Sequence, residues 1–92
     1  MIISFKHKGL KRLFCDDDPS GINTTYTQKI YEILTFINGV SSLQELKSLK
    51  YGIHLLKGKY AGYHSAVVNG NYRIIFRFTN GNIEAVDYVD YH

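Results

Sequence analysis

Two Asn-Gly pairs, Asn69-Gly70 and Asn80-Gly81, divide the last part of this chain into three runs, "YHSAVV", "NYRIIFRF" and "IEAVDYVDY". Each run is rich in β-branched and aromatic residues. Asn and Gly both tolerate the positive φ of a tight turn, so Asn-Gly between such runs is the strongest short-range hairpin signal. The chain is therefore expected to end in an antiparallel meander, one face of which must be covered.

A trial register follows from the second turn. If Asn80 and Gly81 are its two central residues, Thr79 pairs with Asn82, Phe78 with Ile83, Arg77 with Glu84, Ile75 with Val86, Arg73 with Tyr88 and Asn71 with Asp90. Directly opposed residues share a face. One face then carries Tyr72, Ile74, Phe76 and Phe78 with Ile83, Ala85 and Val89, and is expected to be the core. The other carries Arg73, Arg77, Glu84, Asp90 and, by continued alternation, His92. Two residues fit this pattern badly. Asp87 falls on the core face opposite Ile74, which only a bend or bulge would relieve, and Tyr91 points away from Asp90.

The cover comes from upstream. "MIISF" reads as a short first strand. Ser4 is placed to cap a helix over "FKHKGLKRLFC" that turns Leu10, Leu13 and Phe14 to one side. "DDDPSG" breaks that helix, and a second runs from about Asn23 or Thr24 to Asn38. Tyr26, Ile30, Ile33 and Ile37 recur at helical spacing, and Asn38-Gly39 is a natural stop. Ser42 with Glu45 fits a capping box that starts a short turn carrying Leu43, Leu46 and Leu49. "KYGIHLLKGKYAG" has no clear period and reads as a mostly irregular loop. The class is α+β: a short N-terminal strand, two helices, then an antiparallel meander with helices packed on one face.

At 92 residues the chain is expected to form a single domain, 1–92. Apolar residues make up 45%, which excludes a disordered chain. No apolar run approaches the ~20 residues of a membrane span. The basic N-terminus has no separate apolar segment or cleavage site of a signal peptide, so a cytoplasmic protein is expected. The single Cys15 cannot make an internal disulfide and reads as a small buried hydrophobe at a helix end. Net charge is only +3, but it is unevenly spread. No acidic residue lies between Glu45 and Glu84, a stretch that holds Lys47, Lys50, Lys57, Lys59, Arg73, Arg77, His54 and His64. Lys6, Lys8, Lys11 and Arg12 form a second basic group. One-signed stretches like these suit a polyanion, and a solvated basic surface is the plain alternative.

Cleaving an RNA phosphodiester with side chains alone needs a base for the 2′-hydroxyl, a cation on the phosphate and an acid for the departing 5′-oxygen. His suits the proton steps and Arg or Lys the phosphate. The last part of the chain supplies His54, Lys57, Arg73, Asp90, Tyr91 and His92. Metal spacings such as H-E-x-x-H or C-x-x-C are absent, so neither a metal nor another cofactor is expected.

Taken in order, "SFKHKGLK", "HLLKGKYAGY", "NYRIIFRF" and the terminal "DYVDYH" resemble the HigB toxins of the RelE-like superfamily of bacterial toxin–antitoxin systems. The resemblance spans nearly the whole chain, and its specific part is the middle and C-terminal motifs. It implies a small α+β endoribonuclease that cuts mRNA in the ribosomal A site without a metal. It also implies neutralisation by a HigA-type helix-turn-helix antitoxin. Position by position, it implies that His54, Lys57, Arg73, Asp90, Tyr91 and His92 are active-site residues. Asn71, beside Arg73, is a substrate-binding candidate, and the ribosome as partner makes Lys6, Lys8, Lys11 and Arg12 RNA contacts. Arg77 opposite Glu84 reads as a surface ion pair. A non-catalytic RNA-binding module, or one that only binds its antitoxin, would use the same basic surface.

Overall fold

The computed structural model describes residues 1–22, 25–47 and 50–91. Three helices, α1 (Lys8–Asp16), α2 (Thr27–Asn38) and the single turn α3 (Leu43–Leu46), precede four strands. These are β1 (His54–Leu55), β2 (His64–Asn69), β3 (Tyr72–Thr79) and β4 (Asn82–Asp90), antiparallel in the order β1-β2-β3-β4. The class is the α+β expected. None of the described helices is long and apolar enough to cross a membrane.

Sequence explains the helices. α1 turns Leu10 and Leu13 inward, and α2 buries Ile30, Ile33, Leu34 and Ile37. They meet Ala66, Val68, Ile74, Phe76, Ile83 and Val86 of the sheet in one cluster. Each fully buried aliphatic side chain contributes about 1.5–3 kcal/mol. Gly9 lets α1 lie directly on the Pro19–Gly21 turn: a Cβ there would stand 2.3 Å from the Gly21 carbonyl oxygen. The capping box forms as expected, with Ser42 Oγ accepting from the Glu45 amide at 3.3 Å while Glu45 accepts from Ser41 and Ser42. Leu46 is buried but Leu43 is half exposed. Leu49, and the expected α2 start at Asn23 or Thr24, lie outside the described residues.

Several expectations are corrected. Residues 1–6 do not form a regular strand but bridge in parallel onto β4, at Ile2–Ile83 and Phe5–Val86. Ser4 does not cap α1. His7 does, its Nδ1 accepting from the Leu10 amide at 3.2 Å. Cys15 is exposed because Leu10 and Leu13 take the inward stripe of α1. The loop after α3 is less irregular than its Gly content suggests, since His54–Leu55 pair with β2 as an edge strand. In the first hairpin Asn69 pairs with Tyr72, so the turn residues are Gly70 and Asn71.

The main correction is the register of β3 and β4. Thr79–Asn82, Phe78–Ile83 and Arg77–Glu84 pair as expected. Beyond them Ala85 takes φ 54° and the pairing shifts by one residue. A single extra residue of this kind is a β-bulge, and it reverses the faces of everything after it. Ile75 now faces Asp87, Arg73 faces Val89 and Tyr72 faces Asp90. Ser4 Oγ accepts the Ala85 amide at 2.8 Å, so the N-terminal segment braces the bulge. The shift removes Asp87 from the core face and puts Val86 and Tyr88 there instead.

Candidate active site

The bulge decides which end-of-chain side chains stand near Arg73. With the shifted phase, Asp87, Val89 and Tyr91 share the sheet face of Arg73 and Ile75, away from the helices. That face carries a small apolar cluster of its own. Leu56, Tyr63 and Ile75 are buried there, with Tyr60, Ala85, Val89 and Tyr91 packed around them. Tyr91 is thus held by packing as well as by its backbone, whose amide donates to the Asn71 carbonyl at 2.7 Å. Asn71 therefore fastens the end of the chain through its main chain, and its ladder partner is Tyr91 rather than Asp90.

The guanidinium carbon of Arg73 lies 5.5 Å from the centre of the Tyr91 ring, a cation–π distance. Its Nη1 is 3.5 Å from Ser65 Oγ, a long donor contact. Its Nε–H is buried without a hydrogen-bond partner among the described residues. A buried donor of a permanently charged group that lacks a partner is costly unless an acceptor arrives. Lys57, Lys59, Tyr60, Asp90 and Tyr91 line an open cleft of about 390 Å³ next to it. Lys57 and Lys59 reach this cleft from the loop joining β1 to β2, which is closed by the Leu56 amide donating to the Tyr63 carbonyl at 2.8 Å.

His54 is exposed on the edge strand, opposite Ser65, and so on Arg73's side of the sheet. Its Nδ1 stands 3.0 Å from the Gly52 carbonyl oxygen. A carbonyl can only accept, so this contact keeps the proton on Nδ1 and leaves Nε2 as the basic nitrogen. His54 does not line the Lys57 cleft. It borders a neighbouring, more apolar one of about 620 Å³ with Leu55, His64 and Phe78. His64, stacked on Phe76, has its imidazole pushed below the ordinary value of 6.5, mainly by burial and secondarily by His54.

The structure therefore gathers Lys57, Arg73, Asp90, Tyr91 and the Asn71 backbone at one end of the sheet, with His54 beside them across Ser65. Asp90 reaches the cleft from the end of β4, not from Arg73's row. His92 lies outside the described residues. Lys6 also reaches the open face, with its Nζ 3.3 Å from Tyr63 Oη. Lys8, Lys11 and Arg12 do not. They are exposed on α1, which buries its other stripe on the far side of the sheet. Arg12 stands near Asp18, whose carboxyl is lowered first by the Ser20 amide and hydroxyl and then by Arg12. Sequence reasoning placed Lys59 only in the basic stretch and missed Tyr60 and Tyr63, although the alternation of cations and aromatics in "KGKYAGY" is the composition of a surface that binds RNA strands. Among the described residues no group of three or more His, Cys, Asp or Glu is placed to hold a metal ion.

Solved structures share this fold. A chain of the YoeB–YefM complex from Staphylococcus aureus superposes with a TM-score of 0.60 at 19% identity, over 97% of this chain and 95% of that one. A YafQ mutant from E. coli superposes at 0.54 with 20% identity, over 94% and 89%. The class is therefore that of small α+β domains with this helix-on-sheet architecture. A family described as the HigB-like, RelE-like toxin of a type II toxin–antitoxin system matches residues 3–92. "Endoribonuclease HigB" of Proteus vulgaris is 42% identical over 92 residues, 100% of both chains. The chain belongs to the HigB-like family of RelE-like toxins.

Proposed function

We propose that this chain is an endoribonuclease toxin that cleaves mRNA in the ribosomal A site and so stops translation and growth. The observation that carries this reading is the meeting of Lys57, Asp90 and Tyr91 in one cleft with Arg73 laid on the Tyr91 ring. The family and the Proteus vulgaris relative, whose name is that of an endoribonuclease, support the same activity. Ribosome dependence, the cytoplasmic location and the HigA-type helix-turn-helix antitoxin belong to this proposal.

The chemistry needs no metal. A base removes the 2′-hydroxyl proton, the 2′-oxygen bonds to phosphorus, and the P–O5′ bond breaks. The leaving oxygen takes a proton, giving a 2′,3′-cyclic phosphate and a 5′-hydroxyl. Negative charge builds on the phosphate oxygens in between. Arg73, whose Nε–H has no partner among the described residues, and Lys57 meet that charge. His54, Asp90 and His92 share the proton transfers as a coupled set. Tyr91 orients the nucleotide and holds the Arg73 guanidinium in place.

Primer-extension mapping of mRNA with and without ribosomes tests the proposal. Discrete ribosome-dependent cuts that vanish in Arg73→Ala support it. RNA that is bound but left intact makes the chain a binding module instead. A tenfold effect or less for every one of His54, Asp90 and His92 contradicts the proton-transfer roles, since a general acid or base contributes roughly 10²–10⁴.

A further inference from the structure

The open face carries more cation and aromatic surface than one scissile phosphate needs. Tyr91 contacts Tyr60 at 5.9 Å between ring centres, and Tyr60 contacts Tyr63 at 6.3 Å. The band therefore runs from the cleft along the sheet. At its far end Tyr63 is 9% exposed, which fixes its ring. The Arg77 guanidinium lies 4.9 Å over that ring, and Lys6 Nζ stands 5.6 Å from its centre while donating to its hydroxyl. Lys6 comes from the N-terminal segment beside β4, Tyr63 from the residue before β2, and Arg77 from β3. Three separate parts of the chain thus converge on one spot.

Two carboxylates share this face, and among the described residues each takes another donor: Asp87, across from Ile75, accepts the Tyr88 amide at 2.9 Å. Glu84, directly across from Arg77 in the register, takes the Thr79 hydroxyl at 3.1 Å. The surface ion pair expected of Arg77 is replaced by the ring. Arg77 and Arg73 project from the same face of β3, four residues or about 13 Å apart at strand rise. That is a span of a few nucleotides of an extended strand.

We infer that Lys6 and Arg77, seated on Tyr63, form a second phosphate subsite that grips the RNA strand beyond the cleavage point, with Tyr60 as the stacking step between. The inference rests on the nuclease reading for its direction along the strand. The binding chemistry, a cation pair over an aromatic plate, is that of single-stranded RNA recognition.

The test measures binding of the full chain to RNA blocked by a 2′-deoxy residue at the cleavage step. One ligand is a dinucleotide that reaches only the cleft, and the other is a strand several nucleotides longer. Arg77→Gln and Lys6→Gln should each weaken the longer strand several-fold. Each should also reduce the slope of log K against log salt by about 0.7, the value per phosphate on single strands. Dinucleotide binding should not change, and Arg77→Lys should keep the slope. Tyr63→Phe, which keeps the plate and removes only the hydroxyl, should retain the Arg77 share of the slope. Equal losses on both ligands, or none on the longer one, overturn the inference. So does a loss confined to duplex RNA, which would make the spot a contact for structured RNA. If Arg73→Ala cuts mRNA within about tenfold of the wild-type rate, the cleavage site is wrong, yet the length-dependent result stands on binding alone.

Discussion

Ala85 is the extra residue of the bulge, and deleting it should close the ladder without turning the strand over. With one residue fewer, the register that begins at Thr79–Asn82 runs on unshifted and brings Asp87 opposite Ile75, Val89 opposite Arg73 and Asp90 opposite Tyr72, which are the partners they already have. Val86 and Tyr88 stay on the core side and Tyr91 on that of Arg73. What changes is the brace. Ser4 Oγ loses the Ala85 amide, at a cost of about 0.5–1.5 kcal/mol. The bridges Ile2–Ile83 and Phe5–Val86 are three residues apart on both segments, so a shortened β4 can keep only one of them. The backbone hydrogen bond given up, such as Lys6 N–H to the Val86 carbonyl at 2.8 Å, is worth about 0.5–1.5 kcal/mol more. Against this, removal of the left-handed φ of Ala85 returns about 1–2 kcal/mol. The net change is therefore within about 2 kcal/mol, small against the 5–15 kcal/mol typical of a domain, and cleavage persists. Ala85→Gly keeps the bulge and its brace. It relieves the same left-handed φ, offset by about 0.5–1 kcal/mol for glycine's freedom in the unfolded chain, so a net gain of up to about 1 kcal/mol is expected, with cleavage unchanged. Urea denaturation followed by tyrosine fluorescence gives both values. A deletion variant that is unfolded without urea, or folded but unable to cleave, would refute this account of the register.

Other outcomes follow from single contacts. Ser4→Ala removes the acceptor for the Ala85 amide and should cost about 0.5–1.5 kcal/mol in urea melts. Gly9→Ala should lower stability by about 1–3 kcal/mol despite alanine's better helix propensity, because its Cβ meets the Gly21 backbone; a rise in the urea midpoint would contradict this. His64 is held below its ordinary 6.5, so the unfolded chain takes up its proton first as pH falls. Stability should therefore drop as pH passes down through about 6.5 and level off once the folded-state imidazole also protonates. His64→Phe should flatten that part of the profile, and an unchanged slope between variant and wild type would rule His64 out as its source.

Much of the architecture could be read from local patterns. The stripes of α2, the Ser42 cap and the Asn80-Gly81 turn are each set by residues within a few positions of one another. The bulge is different, since glycine usually marks a left-handed bulge residue and this chain has alanine there. The residue that braces it, Ser4, is far away in sequence. Its trace in the sequence was the misfit of Asp87 in the core and of Tyr91 on the wrong face, and one register shift accounts for both. The motif residues could be named from resemblance, but their grouping could not, because Asp90 and Tyr91 exchange faces at the bulge. The contact between Tyr63 and Arg77 was hidden for a similar reason. Arg77 has an obvious partner in Glu84 by register, and only the packing reveals that the ring of Tyr63 takes its place.

The most direct measurement is single-turnover cleavage of mRNA on ribosomes by wild type and Arg73→Ala, with folding of the variant checked by its urea midpoint. Loss of a preorganised charge at the reacting phosphate should slow cleavage by about 10²–10³-fold. A folded Arg73→Ala protein that cuts the same positions within about tenfold of the wild-type rate would show that cleavage does not take place between Arg73, Lys57 and Tyr91.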